Sequence, residues 1–428
     1  MCHSFNPKRI DHCNAQALPF ALNVYKTNCC LKLLVGGECF YTQEAGGISR
    51  IFREVMPRLE SAQGAASVEL WRPFPSPAFQ SVDGLFHRYR GIWLREDRRP
   101  FLLRKFVNQK VLAGCNRWLF DRQQADVYLS TYYGIPPNGV PGVAFVYDMI
   151  YERFPDAFGV SDREMLFAKK KQCFLSSDLL LCISQQTKDD LIDYYNVPAE
   201  KCRVCYLGGC EFAAGNLLSA QKSVDECEVL YVGDWRTAYK NFDFMLASLD
   251  ILRRRMNKTI CLHVVSRMKA NAKERTAHNS IFGGRIIYHA SADDAQLRGL
   301  YCSADVFVYP SRWEGFGIPI VEALSCGVPI ACSDIPVFHE IGGDAVDYFD
   351  PHDVEACADA IQRTIHLRNV PERIEARVAR ANLFSWDKCA EVFVDVIKEV
   401  CSRRPEVGLS CEARRAKKEG QRSEVGRA

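Results

Sequence analysis

Long apolar runs are missing from this chain of 428 residues. Nothing approaches the ~20 consecutive apolar residues that a membrane-crossing helix needs, which argues against a helical membrane protein. The stretch nearest to a secretory leader, AQALPFALNVY, is broken by Gln16, Pro19 and Asn23, and no small-residue cleavage site follows it. The expected location is therefore cytoplasmic. Strong charge is missing too: the formal net charge is +3, and the tail Cys401–Ala428, with eight Lys/Arg against four Glu, leaves the rest of the chain close to neutral. A nucleic-acid binder would carry its positive charge on a folded face, so no nucleic acid is expected as a partner. There is no HExxH, the nine histidines are dispersed, and GxGxxG does not occur. These absences count against a zinc hydrolase and a dinucleotide-binding dehydrogenase.

Cysteine, by contrast, is plentiful. The twenty cysteines are scattered and often sit in apolar runs, as Cys182, Cys261 and Cys332 do. That is the pattern of reduced, buried thiols rather than of a disulfide framework. In KCRVCYLG the odd separation of Cys202 and Cys205 points the two thiols to opposite faces of a strand. Buried spacers are the expectation there, with metal binding as the alternative.

Length and composition suit two domains of ordinary size. Residues 1–30 show no clear period and read as an extension. From LKLLVGGECF onward short apolar strands alternate with amphipathic helices. GVAFVYD and DLLLCIS are continuous apolar runs of the kind covered by helices on both faces. SQQTKDDLIDYYNV reads as a helix capped by Ser184. A polar stretch from Ala213 to Glu226 reads as a linker. A second series follows in EVLYVGD, TICLHVVS, RIIYHAS, DVFVYPS and VPIACSD. The expected architecture is α/β, two doubly wound Rossmann-like sheets facing a cleft: residues 31–212, residues 226–385, a helix over 386–402 and a basic disordered tail over 403–428. Ligands of such sheets bind at the carboxyl ends of the strands.

The stretch YPSRWEGFGIPIVEALSCGVPI carries most of the chemistry. Pro319 suits the first position of a helix ending near Ser325 and Gly327. Gly315, Phe316, Gly317 and Ile318 then deliver backbone amides to the helix N-terminus, where anions are favoured. Glu322, expected in the first turn, can accept hydrogen bonds from a ribose, and Glu314 can contact a sugar hydroxyl. A tight turn with two solvated glutamates is the alternative. In YVGDWRTAYKNFDFML, Arg236 and Lys240 lie four apart after a strand and can clamp a diphosphate, unless they merely line a solvated helix face. In EAGGISRIFREV, Gly46 and Gly47 open a helix as a second phosphate approach or a plain turn. In VYDMIYERFP, Asp148 follows a strand and can orient an acceptor hydroxyl, act as a base, or cap a helix.

Together with LLLCISQQTKDDL and FSWDKCAEVF, these segments resemble, from Leu31 to about Val400, the retaining glycosyltransferases of family four. That family has the GT-B architecture, a Glu-x7-Glu motif and mannosyltransferase members. The resemblance implies a GDP- or UDP-linked nucleoside diphosphate sugar as donor, with no separate cofactor. Glu322 would then hold the ribose and Glu314 the sugar. The Phe316, Gly317 and Ile318 amides would contact sugar and phosphate, and Arg236 and Lys240 the diphosphate. Gly46 and Gly47 would close over the donor, and the last helix would cross back onto the first domain. The acceptor would be a saccharide or a lipid-linked sugar in surface-polysaccharide synthesis. The chain departs from the family at Tyr147, where many relatives have histidine, and in a turn one residue longer before Arg236. No Asp-x-Asp occurs, so no metal is expected in the reaction. The rival readings are a glycoside phosphorylase of the same fold and a non-catalytic nucleotide-sugar-binding subunit. Between Arg88 and Arg122, ten Lys/Arg face three Asp/Glu among aromatic residues. That stretch reads either as a peripheral contact with an anionic membrane or as a solvated helix pair packed on the sheet.

Overall fold

The short apolar runs become parallel strands because helices cover both of their faces. In the computed structural model, which describes residues 31–36, 39, 46–61, 68–72, 88–89, 125–157, 160–209, 226–290 and 292–403, two all-parallel sheets form. The first contains β1 (Leu31–Val35), β2 (Val68–Arg72), β3 (Arg88–Tyr89), β4 (Val127–Ser130), β5 (Gly142–Val146), β6 (Leu179–Cys182) and β7 (Cys202–Val204), in the order β3-β2-β1-β4-β5-β6-β7. The second contains β8 (Glu226–Val232), β9 (Thr259–Ser266), β10 (Arg285–Ala290), β11 (Val306–Tyr309), β12 (Ile330–Ser333) and β13 (Asp347–Phe349), in the order β10-β9-β8-β11-β12-β13. This is the doubly wound order, with the crevice of each sheet where the strand sequence reverses, between β1 and β4 and between β8 and β11. β4, β5, β6, β11 and β12 are buried along their whole length. β2, β3, β4 and β13 were not announced by the sequence pattern; β3 and β13, of two and three residues, carry too little periodicity.

Helix ends follow the local chemistry. Ser184 caps the Gln185–Tyr195 helix by accepting from the Thr187 amide. Asn271 and Asp293 form capping boxes with Glu274 and Gln296 at the helices Ala272–Ile281 and Asp294–Ser303. The cysteines among the described residues are free and, Cys302 and Cys401 apart, buried. Cys202 and Cys205 go to separate neighbours: Cys202 Sγ lies 3.7 Å from the Pro198 carbonyl oxygen, and Cys205 Sγ 3.4 Å from Cys389 Sγ. No helix among the described residues is long and apolar enough to cross a membrane. The N-terminal extension, the polar linker, the basic stretch beyond Tyr89 and the tail beyond Arg403 lie outside the described residues.

The last helix, Trp386–Arg403, packs against β4, β5, β6 and the helix Gly47–Ser61, all elements of the first sheet's layer. Its anchor is Trp386, 1% exposed, whose indole N–H donates to the Gly209 carbonyl at 2.7 Å. Gly208 passes so close that an added Cβ would lie 2.5 Å from the Trp386 amide nitrogen. Phe393 meets Phe145 of β5 at 5.8 Å, and Arg203 bridges to Glu399 at 2.6 Å. Trp386→Ala removes a filled core position together with its hydrogen bond. It should cost about 3–5 kcal/mol of unfolding free energy, read from the midpoint of a urea transition with the slope unchanged.

Candidate active site

The helix Ile318–Ser325 begins where a left-handed backbone turns the chain. Gly317 holds φ +104° at its N-cap, a conformation that L side chains rarely adopt, with Pro319 in the first turn. Because the helix starts one residue earlier than the proline predicts, Glu322 falls in its second turn, which corrects the expected position. Glu322 is 2% exposed. One carboxylate oxygen accepts from Arg50 Nη1 at 2.6 Å, the other from the Tyr301 hydroxyl at 3.0 Å. No side chain caps this helix; Pro319 has no N–H and the Ile320 amide donates to the Gly317 carbonyl at 2.9 Å, so what the helix start offers an anion is its dipole and the Ile318 amide.

Gly315 is where the two sheets' loops meet. An added Cβ would lie 1.9 Å from the Tyr147 carbonyl oxygen and 3.1 Å from Asp148 Cβ. Its own carbonyl accepts from Ser184 Oγ at 2.7 Å and from Thr187 Oγ1 at 3.0 Å. Nearby, Glu340 accepts from the Gln185 and Gln186 amides at 2.5 and 3.1 Å, so the second layer supplies an anion to the N-terminus of a first-layer helix. Arg153 stacks over the Trp313 ring at 3.5 Å while bridging to Asp190 at 2.7 Å. Gly209 sits against Val321 and the Glu322 amide, where an added Cβ would be 2.9 Å from Val321 Cγ1.

Lys240 and Glu314 come together: Nζ to Oε1 is 2.5 Å, with both side chains largely buried. The ammonium also lies 5.2 and 5.6 Å from the rings of Tyr239 and Tyr309. Burial first, and the Glu314 charge second, push the Tyr231, Tyr239 and Tyr309 hydroxyls well above their ordinary value. All three therefore remain neutral donors around the pair. Arg236 does not join it. Its guanidinium is held by Glu274 at 2.5 and 3.0 Å and by the Lys269 carbonyl at 3.1 Å. The hydrogen bond from Arg236 holds the Glu274 carboxyl down at about 2.

Gly46 and Gly47 open the helix Gly47–Ser61, whose Arg50 amide bonds back to the Gly46 carbonyl at 2.9 Å. A Cβ on Gly47 would lie 4.0 Å from Ile318 Cδ1, so this turn adjoins the N-terminus of the Ile318–Ser325 helix. The Phe316 ring points into the core, 5.8 Å from Phe384, leaving only its backbone as a ligand contact. Asp148 accepts the Ile150 amide at 3.1 Å and caps its turn. Burial raises its pKa, Lys170 opposes that shift, and Glu152 and Glu314 add to it. Lys170, 1% exposed, is paired with Glu152 at 3.0 Å and donates to the Asp148 carbonyl at the same distance. Tyr147 donates its hydroxyl to the Thr131 carbonyl at 2.6 Å.

The helix Asp294–Ser303, which carries Tyr301, and the end of β10 border an open pocket of about 440 Å³ lined by His289, Ala290, Ala292, Gln296, Gly299 and Leu300. The sequence reading missed Arg50, Tyr301, Ser184 as an interlayer donor, Lys170 and this pocket. Arg50 alone had a local signal, standing inside GGISRIF one helical turn after the glycines. The others are joined to the site only by tertiary contacts between residues far apart in the chain.

Two outcomes test this geometry. Gly315→Ala forces a methyl into the Tyr147 carbonyl, so it should cost about 1–3 kcal/mol and speed proteolytic cutting between the sheets. An unaltered urea midpoint would mean that the loops do not dock this way. A carboxyl whose folded pKa is raised favours folding in its neutral form, so its penalty appears as pH rises above the ordinary value of 3.8. Asp148→Asn should therefore unfold at higher urea than the parent at pH 7, with the gap closing toward pH 4. A gap constant with pH would contradict the shift.

Comparison with known proteins agrees with this picture. Residues 219–380 match the family model for glycosyl transferases group 1. O-antigen chain mannosyltransferase B of Escherichia coli is 30% identical over 233 residues, 52% of this chain and 61% of the relative, so the chain spans under two thirds of that protein's length. Sucrose-phosphate synthase from Thermosynechococcus elongatus superposes with a TM-score of 0.66 at 17% identity, over 87% of this chain and 100% of that one. Anabaena HepE, solved with UDP-glucose, gives 0.62 at 15%, over 86% and 100%. Residues 219–380 are thus similar to the glycosyl transferases group 1, within a chain that has the GT-B fold.

Proposed function

We propose that the chain is a retaining hexosyltransferase, mannosyl or related, that moves the sugar of a GDP- or UDP-linked donor to a saccharide or lipid-linked acceptor in surface-polysaccharide synthesis. In this reading the second layer, residues 226–385, holds the donor and the first, residues 31–212, presents the acceptor. The observation that carries it is the Lys240–Glu314 pair beside the uncapped N-terminus of the helix that bears Glu322. A diphosphate there meets a cation and the positive end of the helix, a sugar meets Glu314, and a ribose meets Glu322. The pocket beside the helix that carries Tyr301, whose hydroxyl donates to Glu322, has room for a base. The O-antigen mannosyltransferase relative supports the choice of sugar and product class.

In the proposed mechanism, the acceptor hydroxyl attacks from the face that the diphosphate leaves, through an oxocarbenium-like state, and the departing phosphate takes its proton. The protein's part is positioning and charge stabilisation. Lys240 exchanges Glu314 for the phosphate, and Arg236 swings from Glu274 to the same group. Arg50 yields Glu322 to the ribose. Asp148, at the end of β5, orients the acceptor hydroxyl, and no protein nucleophile is required.

A panel of nucleotide sugars scored by thermal stabilisation and product formation tests this. The matching donor at about 100 times its Kd should add ~2.7 kcal/mol, and product NMR should show the anomeric configuration kept. Lys240→Ala and Arg236→Ala should each lower kcat about 10²–10³-fold. Near-parental turnover in both variants would remove them from the mechanism, and stabilisation by no member of the panel would overturn the reading. Sugar release that needs inorganic phosphate instead of a nucleotide would favour the phosphorylase.

A further inference from the structure

One cluster of metal-binding side chains stands apart from the crevice between the loops. Glu228 of β8 and Cys261 of β9 are register partners, and His263 follows Cys261 on the same face two residues on. Their donor atoms all lie within 4.8 Å of one another. His263 Nε2 is 2.6 Å from Glu228 Oε2 and 3.6 Å from Cys261 Sγ. On its other side, His263 Nδ1 is 2.9 Å from Nε2 of His289, whose ring stacks on it at 5.1 Å and 9°. Arg285 donates to the Cys261 sulfur at 3.2 Å. Glu228 and Cys261 lie toward the amino ends of their strands, whereas the Lys240–Glu314 pair lies past the carboxyl ends of β8 and β11, so the three ligands are separate from the proposed diphosphate and sugar contacts, although His289 also lines the pocket proposed for the base.

We propose that Glu228, Cys261 and His263 bind a zinc-class divalent cation, with His289 as the outer partner that orients His263. Tetrahedral zinc with Zn–S near 2.3 Å and Zn–N near 2.0 Å separates a sulfur and a nitrogen ligand by about 3.5 Å. The observed 3.6 Å between Cys261 Sγ and His263 Nε2 already meets that spacing. The 2.6 Å between His263 and Glu228 must open by about 0.7 Å to reach the ~3.3 Å that nitrogen and oxygen ligands need. One thiolate, one imidazole and one carboxylate suit zinc or cobalt and not calcium or magnesium, which take oxygen ligands. A solvent molecule completes the fourth position.

The protons balance. Without metal, His263 donates Nε2–H to Glu228 and accepts at Nδ1 from His289. With metal, Nε2 turns its lone pair to the cation, Nδ1–H donates to His289 Nε2, and the His289 proton moves to its own Nδ1. The Cys261 thiol gives up its proton to solvent, so uptake releases about one proton per ion. Arg285 remains as a charged donor to the thiolate. Because the ligands join β8 to β9 at one end of the sheet, the role is structural: metal raises thermal stability.

The test is a titration of the chelator-stripped full chain with cobalt(II), followed by zinc displacement. The expected result is about one equivalent bound, with a sulfur-to-cobalt charge-transfer band that zinc abolishes, and a rise in Tm. Cys261→Ser should lose the band, and His289→Ala should weaken binding about 10–100-fold at unchanged stoichiometry. His263→Gln, which leaves every thiol in place, should weaken binding at least about tenfold and covers the case in which the serine variant fails to fold. Absence of a charge-transfer band in the parent, or unchanged affinity in both Cys261→Ser and His263→Gln, overturns the proposal.

Discussion

A glycine without room for a side chain sets the geometry of this molecule. Gly315 lies against the end of β5 so closely that a Cβ would stand 1.9 Å from the Tyr147 carbonyl oxygen. Two hydroxyls from the start of the Gln185–Tyr195 helix hold its own carbonyl. Backbone against backbone is the closest approach two loops can make. It brings Asp148 of one layer beside Glu314 of the other and aims the Ile318–Ser325 helix at the crevice. Glu340 on the Gln185 and Gln186 amides and Trp386 on Gly209 reinforce the same arrangement from either side.

The crevice formed in this way is charged but internally balanced. Glu314 is held by Lys240 at 2.5 Å, Glu322 by Arg50 at 2.6 Å, and Glu152 by Lys170 at 3.0 Å. A buried carboxylate without such a partner would bear a desolvation cost of several kcal/mol. The ion pairs therefore hold the acidic groups in place. An anionic, hydroxyl-rich ligand exchanges partners with them: its phosphates take the cations while its hydroxyls take the carboxylates. Arg236 belongs to an outer pair with Glu274, on more exposed side chains, which suits a cation that moves to a ligand. Asp148 stands apart, since burial disfavours its charge, and raised carboxyl pKa values cluster at sites of proton transfer.

Much of the fold was legible because it is written in local pattern. Apolar runs of four or five residues marked β5, β6, β11 and β12, Ser184 marked a helix start, and Pro319 and Ser325 bounded another to within a residue. The one-residue error had a consequence, placing Glu322 in the first turn instead of the second. The reason is that Gly317, in the left-handed region, closes the loop and lets Ile318 enter the helix ahead of the proline. β13 was not legible, and neither was the isolation of Arg236 from Lys240. A four-residue spacing brings two side chains together on an α-helix, but here the intervening chain is a turn followed by a short 3₁₀ segment, Ala238–Lys240.

The sequence by itself determined the α/β class, the paired sheets, the glycine loop and the inventory of charged residues, because each follows from periodicity, backbone freedom or side-chain chemistry within a few positions. Only the tertiary structure decided which charge meets which. Arg50 and Glu322 are 272 residues apart in the chain and Lys240 and Glu314 are 74 apart. Glu228, Cys261 and His263 converge because parallel pairing sets β8 and β9 in register, so that 228 faces 261. Such pairings depend on strand order and on the docking of loops across a crevice, and no local pattern encodes either.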